Sequence, residues 1–390
     1  MKMQKALSGV RVLDLTMNLP GPYLTWLMAC LGAEVIKVEN PNGGDYMRTT
    51  VSTGGEEPAY FASVNRGKKS LALNLKDPAG RDILLDLLKT HDILVEGFRP
   101  GVMARLDLDY PTMQRLQPRL IMASISGYGQ EGSYSGRAGH DINYLSLAGV
   151  LGITGSHRGD LAIPGVQVAD LAGGALFGLT GILAAMHQRE RTGQGQHVDT
   201  SMFDGSLSLA TMVWAGVESG LDQPQPAGMT LNGARPCYNL YRTADGGWFS
   251  LGALEPKFWQ NFCTALQRPD LVEKQFGGQE VVEEVAAIFA GRTRQEWTVF
   301  WAEHDACCEP VLSLPEAADS PLALERGMIE QSPMGRHLAC PLKLSASPAS
   351  AGAASPALGQ HTREVMADLG YDSGEVDYLA ARGVIGLNAK

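Results

Sequence analysis

The sequence lacks a basic excess, a CxxC pair and the common nucleotide- or metal-site signatures, and each absence removes a class of function. Its 390 residues carry a formal net charge of -10, whereas a broad nucleic-acid surface needs surplus Lys and Arg to neutralise phosphates. A small anionic ligand needs only a local basic patch. The six cysteines, Cys30, Cys237, Cys263, Cys307, Cys308 and Cys340, form no paired motif, and adjacent Cys307 and Cys308 would make a poor disulfide because neighbouring side chains diverge. A reducing cytoplasm is the expected compartment. The N-terminal MKMQKALSGVRVLDLT has no long apolar core of the signal-peptide kind, no apolar run is expected to approach bilayer thickness, and the closing GLNAK is not a peroxisomal address. Neither a membrane nor a nucleic acid is expected as a partner. No GxGxxG, Walker loop, HExxH or GxSxG stands in a suitable context, so nicotinamide, nucleotide, zinc and serine-hydrolase readings lose support.

What is present is ordinary globular material, 44% hydrophobic and 19% charged, long enough for two domains. From Gly9 to about Gly127 short β-type runs (VRVLDL, AEVIKVE, SLALNL, ILVEGF, LIMASISG) alternate with helical stretches such as PYLTWLMACLG and DPAGRDILLDLLKTHD. That alternation predicts an α/β domain, Rossmann-like, with a mainly parallel sheet. Asp77-Pro78 is a good helix start, and Ile83, Leu84, Leu87 and Leu88 form one apolar stripe. INYLSLAGVLG, residues 142–152, reads as a buried helix, and the stretch from Leu171 to about Arg191 as another, with Gly174 and Gly178 spaced for close backbone approach. Pro- and Gly-rich SGLDQPQPAGMTLNGARP then reads as a linker, NLYRTADGGWFSLGAL as a hairpin, and KFWQNFCTALQ and RQEWTVFWAEH as helices of a smaller α+β unit. The division expected is a large domain over 1–217 completed by 337–390, linkers at 218–236 and 314–336, and a small domain over 237–313. SASPASAGAASPALGQHT reads as an exposed low-complexity loop before the helical TREVMADLG.

The chemistry must then come from scattered polar residues. His140 stands out among the eight histidines because GRAGHD places a His-Asp pair after a Gly turn at a helix start, where free amides can hold a developing oxyanion. Asp170 opens the Gly-rich helix and reads first as an ordinary N-cap. Glu255, in LGALEP, is unremarkable alone. Arg66, Lys68 and Lys69 of the RGKK run, with Lys76, Arg99, Arg105 and Arg137, put positive charge on several βα loops, where ligands of such sheets bind; a solvated surface is the alternative for about half of them.

LSGVRVLDLT, GPYLTWLMACLGAEVIKVENP, LNLKDPAGRD, VEGFRPGVMARLDL, SISGYGQEG, DLAGGALFGLTGILAAMHQRERTGQGQHVDTSMFDG and PALGQHTREVMADLGY, in this order, resemble the class III CoA-transferase (CaiB/BaiF) family over nearly the whole chain. The resemblance implies a large α/β and a small domain in each subunit, two ring-like subunits interlocked as a homodimer, and a C-terminal tail that closes on the large domain. In the transferases the Asp matching Asp170 attacks a CoA thioester to form a mixed anhydride, so Asp170 does not separate the branches. Formyl-CoA-type transferases have an aromatic residue at His140 and a Gly-rich loop at LGALEP. GHDINYL and LGALEP instead resemble the α-methylacyl-CoA racemase branch, as does DACCEPVLSLPEA. That likeness implies His140 and Asp170 as the acid/base pair, Glu255 of the partner subunit bonding the histidine, Asp141 and Tyr144 shaping the site, and an oxyanion contact from the amide near Asp141. For CoA it implies Leu73, Lys76 and Arg105, with Arg99 and Arg137. Asn40 stands where many relatives have Arg, and Lys37 is a candidate to compensate. Because CoA is part of the substrate, no separate cofactor and no metal are expected. The reaction implied is interconversion of R and S 2-methylacyl-CoA thioesters; the alternative is transfer of CoA between carboxylic acids through an Asp170 anhydride. The acyl group is left open, with Met202, Met212 and Met229 as candidates for an adaptable surface or for core filling.

Overall fold

The computed structural model describes residues 4–49, 58–156, 158–332, 335–350, 352 and 354–388. Six parallel strands arise from the apolar runs of the N-terminal half: β1 (Arg11–Leu15), β2 (Glu34–Glu39), β3 (Lys69–Leu73), β4 (Ile93–Glu96), β5 (Ile121–Ser126) and β6 (His197–Ser201). They line up in the order β3-β2-β1-β4-β5-β6, with the short C-terminal strand Ile385–Gly386 antiparallel against β3. Strand order reverses between β1 and β4, the switch point beside which open parallel sheets bind ligands at the carboxyl ends of their strands.

Local chemistry explains several elements. The Asp77 side chain accepts from the Ala79 amide ahead of the helix Pro78–Leu88, whose stripe Ile83, Leu84, Leu87 and Leu88 is buried. These residues join Leu13, Leu15, Leu71 and Leu94 in one core with Val365, Val376 and Val384 of the C-terminal region; each such side chain contributes roughly 1.5–3 kcal/mol. The C-terminal segment also closes on β3 through polar bonds. The Ser70 amide donates to His361 Nδ1 at 3.1 Å, and the Ala72 amide to Thr362 Oγ1 at 3.2 Å.

The long helical segment Ala169–Thr192 starts as π-helix over Ala169–Leu176 and continues as α-helix. Its 24 residues are long and apolar enough to cross a membrane by length and composition, which corrects the expectation that no run approached that length. Gly173, Ala175, Leu179 and Ile182 are buried, and a Cβ at Gly205 would sit 2.3 Å from the Gly173 carbonyl oxygen. Small residues here allow backbone-to-backbone packing. Gly178 serves a related purpose, with Leu24 as the neighbour a Cβ would strike, at 2.8 Å.

Two compact units divide the chain: residues 1–147, 167–208 and 322–390 form one, and 148–166 with 209–321 the other. The second has an antiparallel sheet of β7 (Tyr238–Arg242), β8 (Trp248–Gly252) and β9 (Cys308–Pro310), over a core of Trp259, Phe262, Phe289, Trp297 and Trp301. Residues 148–166, read from sequence as part of the large domain, cluster here, and Asn232 Nδ2 donates to the Ile153 carbonyl at 3.2 Å. The SGLDQPQPAGMTLNGARP stretch is likewise pinned, Asp222 Oδ1 accepting from the amide and the hydroxyl of Thr230, each at 2.9 Å. The segment read as a second linker contains the helices Leu314–Asp319 and Pro321–Glu325 and a hairpin of Ile329–Ser332 with Gly335–Leu338. The helix expected over 142–152 is also corrected: it spans Asp141–Leu147 only, a separate 3-10 turn covers Leu151–Ile153, and Ile142 and Leu147 are exposed.

Candidate functional site

His140 lies in the loop after β5 and immediately precedes the helix Asp141–Leu147. Its amide donates to Asn143 Oδ1 at 3.0 Å and its carbonyl accepts from the Asn143 amide at 2.8 Å, a reciprocal pair that fixes the main chain while the residue stays exposed. Tyr144 locks the same loop from below. Its hydroxyl donates to the Gly139 carbonyl at 2.5 Å, its ring meets Tyr128 edge-on with centroids 5.2 Å apart, and a Cβ at Gly127 would come within 2.4 Å of it. As the first helical residue, Asp141 has its N–H outside the intrahelical ladder.

The N-cap reading of Asp170 is overturned. Val168 precedes the helix with no capping side chain, and the acceptor comes from elsewhere: Asp141 Oδ1 takes the Ala169 amide at 2.7 Å and the Asp170 amide at 3.0 Å. One carboxylate therefore performs the cap and ties the segment beside His140 to the start of the Asp170 helix. Asp170's own carboxyl accepts no hydrogen bond among the described residues. Burial raises it to about 7, and the neighbouring Asp141 charge adds to the effect. Burial also pushes the Tyr144 phenol up, helped by Asp170 and opposed by the Arg99 guanidinium. His140, Asp141, Tyr144, Asp170 and Arg99 are thus one neighbourhood at the carboxyl ends of the central strands. Glu255 is placed in the second unit, exposed, directly before the helix Pro256–Ala265 and with no capping bond of its own.

Among the basic residues, Lys76, Arg99 and Arg137 are exposed on the loops that follow β3, β4 and β5, and Arg105 is exposed at the end of the short helix Val102–Arg105 after β4. None has a carboxylate partner among the described residues, and Arg137 stacks on Tyr134 at 3.8 Å. They suit an anionic ligand. Leu73 offers only its main chain, since its side chain is in the core.

The RGKK run and Lys37 do not belong to that surface. Lys68 is buried, 3.0 Å from Asp14 Oδ2, and also donates to Thr25, Asn65 and the Pro22 carbonyl. Lys37 is buried 3.0 Å from Asp45 and donates to the Thr16 carbonyl at 2.8 Å, so it cannot compensate for Asn40 at a ligand. Burial alone would raise the Asp14 carboxyl, but Lys68 and Lys37 outweigh it and hold it well below the usual range. Burial in turn lowers Lys68 to about 8. Lys69 pairs with Glu34 and Glu364, and Arg66 is buried with one nitrogen on the Leu338 carbonyl. Paired buried charges of this kind organise loops rather than ligands.

Sequence reasoning missed Glu96. Burial raises this carboxyl to about 7 although Ser124 and the Phe98 amide both donate to it. The available signal was an acidic residue closing the otherwise apolar ILVE strand at the switch point. Met202 and Met229 are buried, leaving Met212 as the exposed member of the three methionines considered for an adaptable surface.

A parallel sheet in Rossmann order, with a histidine and a proton-holding aspartate at its carboxyl edge and unpaired cations on adjoining loops, defines an α/β enzyme for an anionic substrate. The family description CoA-transferase family III matches residues 7–362, and the chain belongs to that family. It is 36% identical to the α-methylacyl-CoA racemase of Homo sapiens over 98% of each chain. It is also 34% identical to the succinyl-CoA:glutarate CoA-transferase of Mus musculus, covering 98% of this chain and 90% of the relative. A CAIB/BAIF family protein from Brucella suis shares the fold with a TM-score of 0.80 and 27% identity, over 94% of this chain and all (100%) of that one. A Mycobacterium tuberculosis protein does so with a TM-score of 0.80 at 30% identity, over 93% and 99%.

Proposed function

We propose that this enzyme interconverts the R and S forms of 2-methylacyl-CoA thioesters by removing and returning the α-proton through an enolate. The observation that carries the reading is Asp170, a carboxyl kept protonated to about 7 and free of protein hydrogen bonds to its side chain among the described residues. A proton donor must hold its proton at working pH, whereas a carboxylate nucleophile must be ionised.

Inverting a carbon acid needs one base and one acid on opposite faces with the enolate oxygen stabilised between them. For one substrate hand neutral His140 takes the α-proton and protonated Asp170 delivers one to the other face; for the other hand they exchange roles. The Asp141 amide at the helix start receives the enolate oxygen, Tyr144 holds the loop, and Glu255 of the partner protomer in an interlocked homodimer favours protonated His140. Lys76, Arg99, Arg105 and Arg137, with the Leu73 main chain, receive the CoA portion, which is part of the substrate; the chemistry calls for no separate cofactor.

The similar identity to a CoA-transferase supports the second reading, acyl transfer through an Asp170 anhydride. A single enantiomer of a 2-methylacyl-CoA incubated in deuterated water, with and without a free acid acceptor, separates them. Racemisation with α-deuterium uptake is expected. Acceptor-dependent transfer with an anhydride trapped at Asp170 and no deuterium uptake would overturn the proposal.

A further inference from the structure

Between Gly127 and His140 the chain carries five glycines, so its backbone has little stiffness of its own with which to hold the histidine. The foot of this loop is anchored. The Phe203 amide donates to the Gly127 carbonyl at 3.0 Å, and the Gln130 amide to Asp199 Oδ2 at 3.0 Å. Beyond it the bonds are those of a local turn, from the Ser135 amide to the Gly132 carbonyl and from the Arg137 amide to the Tyr134 carbonyl. A row of rings spans the rest. The Arg137 guanidinium lies 3.8 Å from the centre of the Tyr134 ring. Tyr134 meets Tyr128 edge-on, with centroids 5.9 Å apart and planes at 67°, and Tyr128 meets Tyr144 at 5.2 Å and 80°.

The inner end of the row closes on the residue before His140. The Tyr144 hydroxyl donates to the Gly139 carbonyl at 2.5 Å. A Cβ at Gly139 would stand 2.7 Å from the Tyr144 ring and 3.0 Å from the Tyr128 hydroxyl oxygen, so both rings press on that glycine. The outer end is not core: Tyr134 is 41% exposed and Arg137 is exposed as well. Edge-to-face pairs and a stacked guanidinium are directional contacts. Moving one ring re-aims the next, and an exposed cation is thereby joined to the main chain of His140.

We propose that Tyr128 and Tyr134 are positioning residues that couple anion binding at Arg137 to the placement of His140, so that the phosphate-bearing part of CoA raises turnover and not affinity alone. The inference rests on the reading above, in which Arg137 receives CoA and His140 moves the α-proton. A phosphate gripping the guanidinium from its open side fixes Tyr134 beneath it. Tyr134 then steadies Tyr128, and Tyr128 with Tyr144 steadies Gly139. Binding energy from a part of the substrate that does not react is thus used at the carbon that does.

The test compares a single enantiomer of a 2-methylacyl-CoA with the same acyl group on pantetheine, which lacks the phosphorylated nucleotide, by α-deuterium uptake. In the unsubstituted protein kcat should fall about tenfold or more on the shorter thioester. Tyr128→Ala should bring kcat on the CoA ester down to the pantetheine level and leave the pantetheine value nearly unchanged, whereas Tyr128→Phe, which keeps the ring, should preserve most of the difference. An equal loss on both thioesters, or a change in KM alone, would overturn the coupling. Absence of α-exchange with either thioester in the unsubstituted protein defeats the racemase reading instead. The coupling is then decided by the imidazole resonance of His140 in histidine-labelled protein, identified with His140→Gln and titrated with adenosine 3′,5′-bisphosphate. A shift at saturation is expected, and a smaller one in Tyr134→Ala. Failure of the bisphosphate to bind, or binding that leaves the His140 resonance unmoved, sinks the proposal even where Tyr128→Ala does not fold.

Discussion

Replacing Asp170 with Asn should stabilise the fold at alkaline pH while abolishing the proposed chemistry. The folded carboxyl ionises at about 7 instead of 3.8, first because it is buried and then because Asp141 is near. Between those values the folded chain binds more protons than the unfolded one, so stability falls as pH rises. The favourable contribution is fully present below the unfolded value and is lost as pH climbs through the folded one. A shift of about three units corresponds to roughly 4 kcal/mol lost above about pH 8. At about pH 5 the unfolded carboxyl is already largely ionised while the folded one still holds its proton, and roughly 2 kcal/mol is lost. Both figures are upper bounds, because Asp170 keeps partial solvent contact. Asn has nearly the same shape and no charge to desolvate. Its gain over the parent should therefore grow by roughly 2–3 kcal/mol from about pH 5 to about pH 8.5, read as a widening difference in thermal midpoint. An equal gain at both pH values, or a loss at the higher one, would refute this reasoning. It would mean that Asp170 is ionised in the fold and satisfied there.

One further outcome follows from the same geometry. Asp141→Asn keeps an oxygen for the Ala169 and Asp170 amides but removes the neighbouring charge, so the limb of the pH-rate profile that requires protonated Asp170 should move down by about one pH unit; an unmoved limb sinks the electrostatic role given to Asp141.

Much of the sheet was readable because its strands are short apolar runs set between amphipathic helices, and Asp77 capped the helix it was expected to cap. What escaped reading depends on partners distant in sequence. Nothing near Lys68 says that Asp14 lies beneath it, 54 residues away, so a surface cation and a buried counterion look alike in the RGKK run. The helix after His140 was read too long because apolar composition persists past Leu147. The apolar length of Ala169–Thr192 was missed because glycines interrupt it, and those glycines turn out to bring other backbone close.

Asp170 and Glu96 show why a local reading of acidic residues stops where it does. Both are partly or wholly buried, and both are raised to about 7. By proton affinity alone they are equivalent candidates. Their hydrogen bonds separate them. Glu96 is 3% exposed and its oxygens accept from Ser124 and the Phe98 amide, so its carboxyl is committed to the interior. The Asp170 carboxyl, by contrast, accepts nothing from the described residues, while its main chain is held by Asp141, 29 residues earlier. A group whose backbone is fixed and whose functional atoms are left unengaged is preorganised for a ligand. In the sequence Asp170 looked like a cap because an aspartate at a helix start usually spends its oxygens on its own amides. Here Asp141 takes over that task, and the Asp170 carboxyl is left unengaged by the described residues, as the proposed proton exchange with a substrate requires.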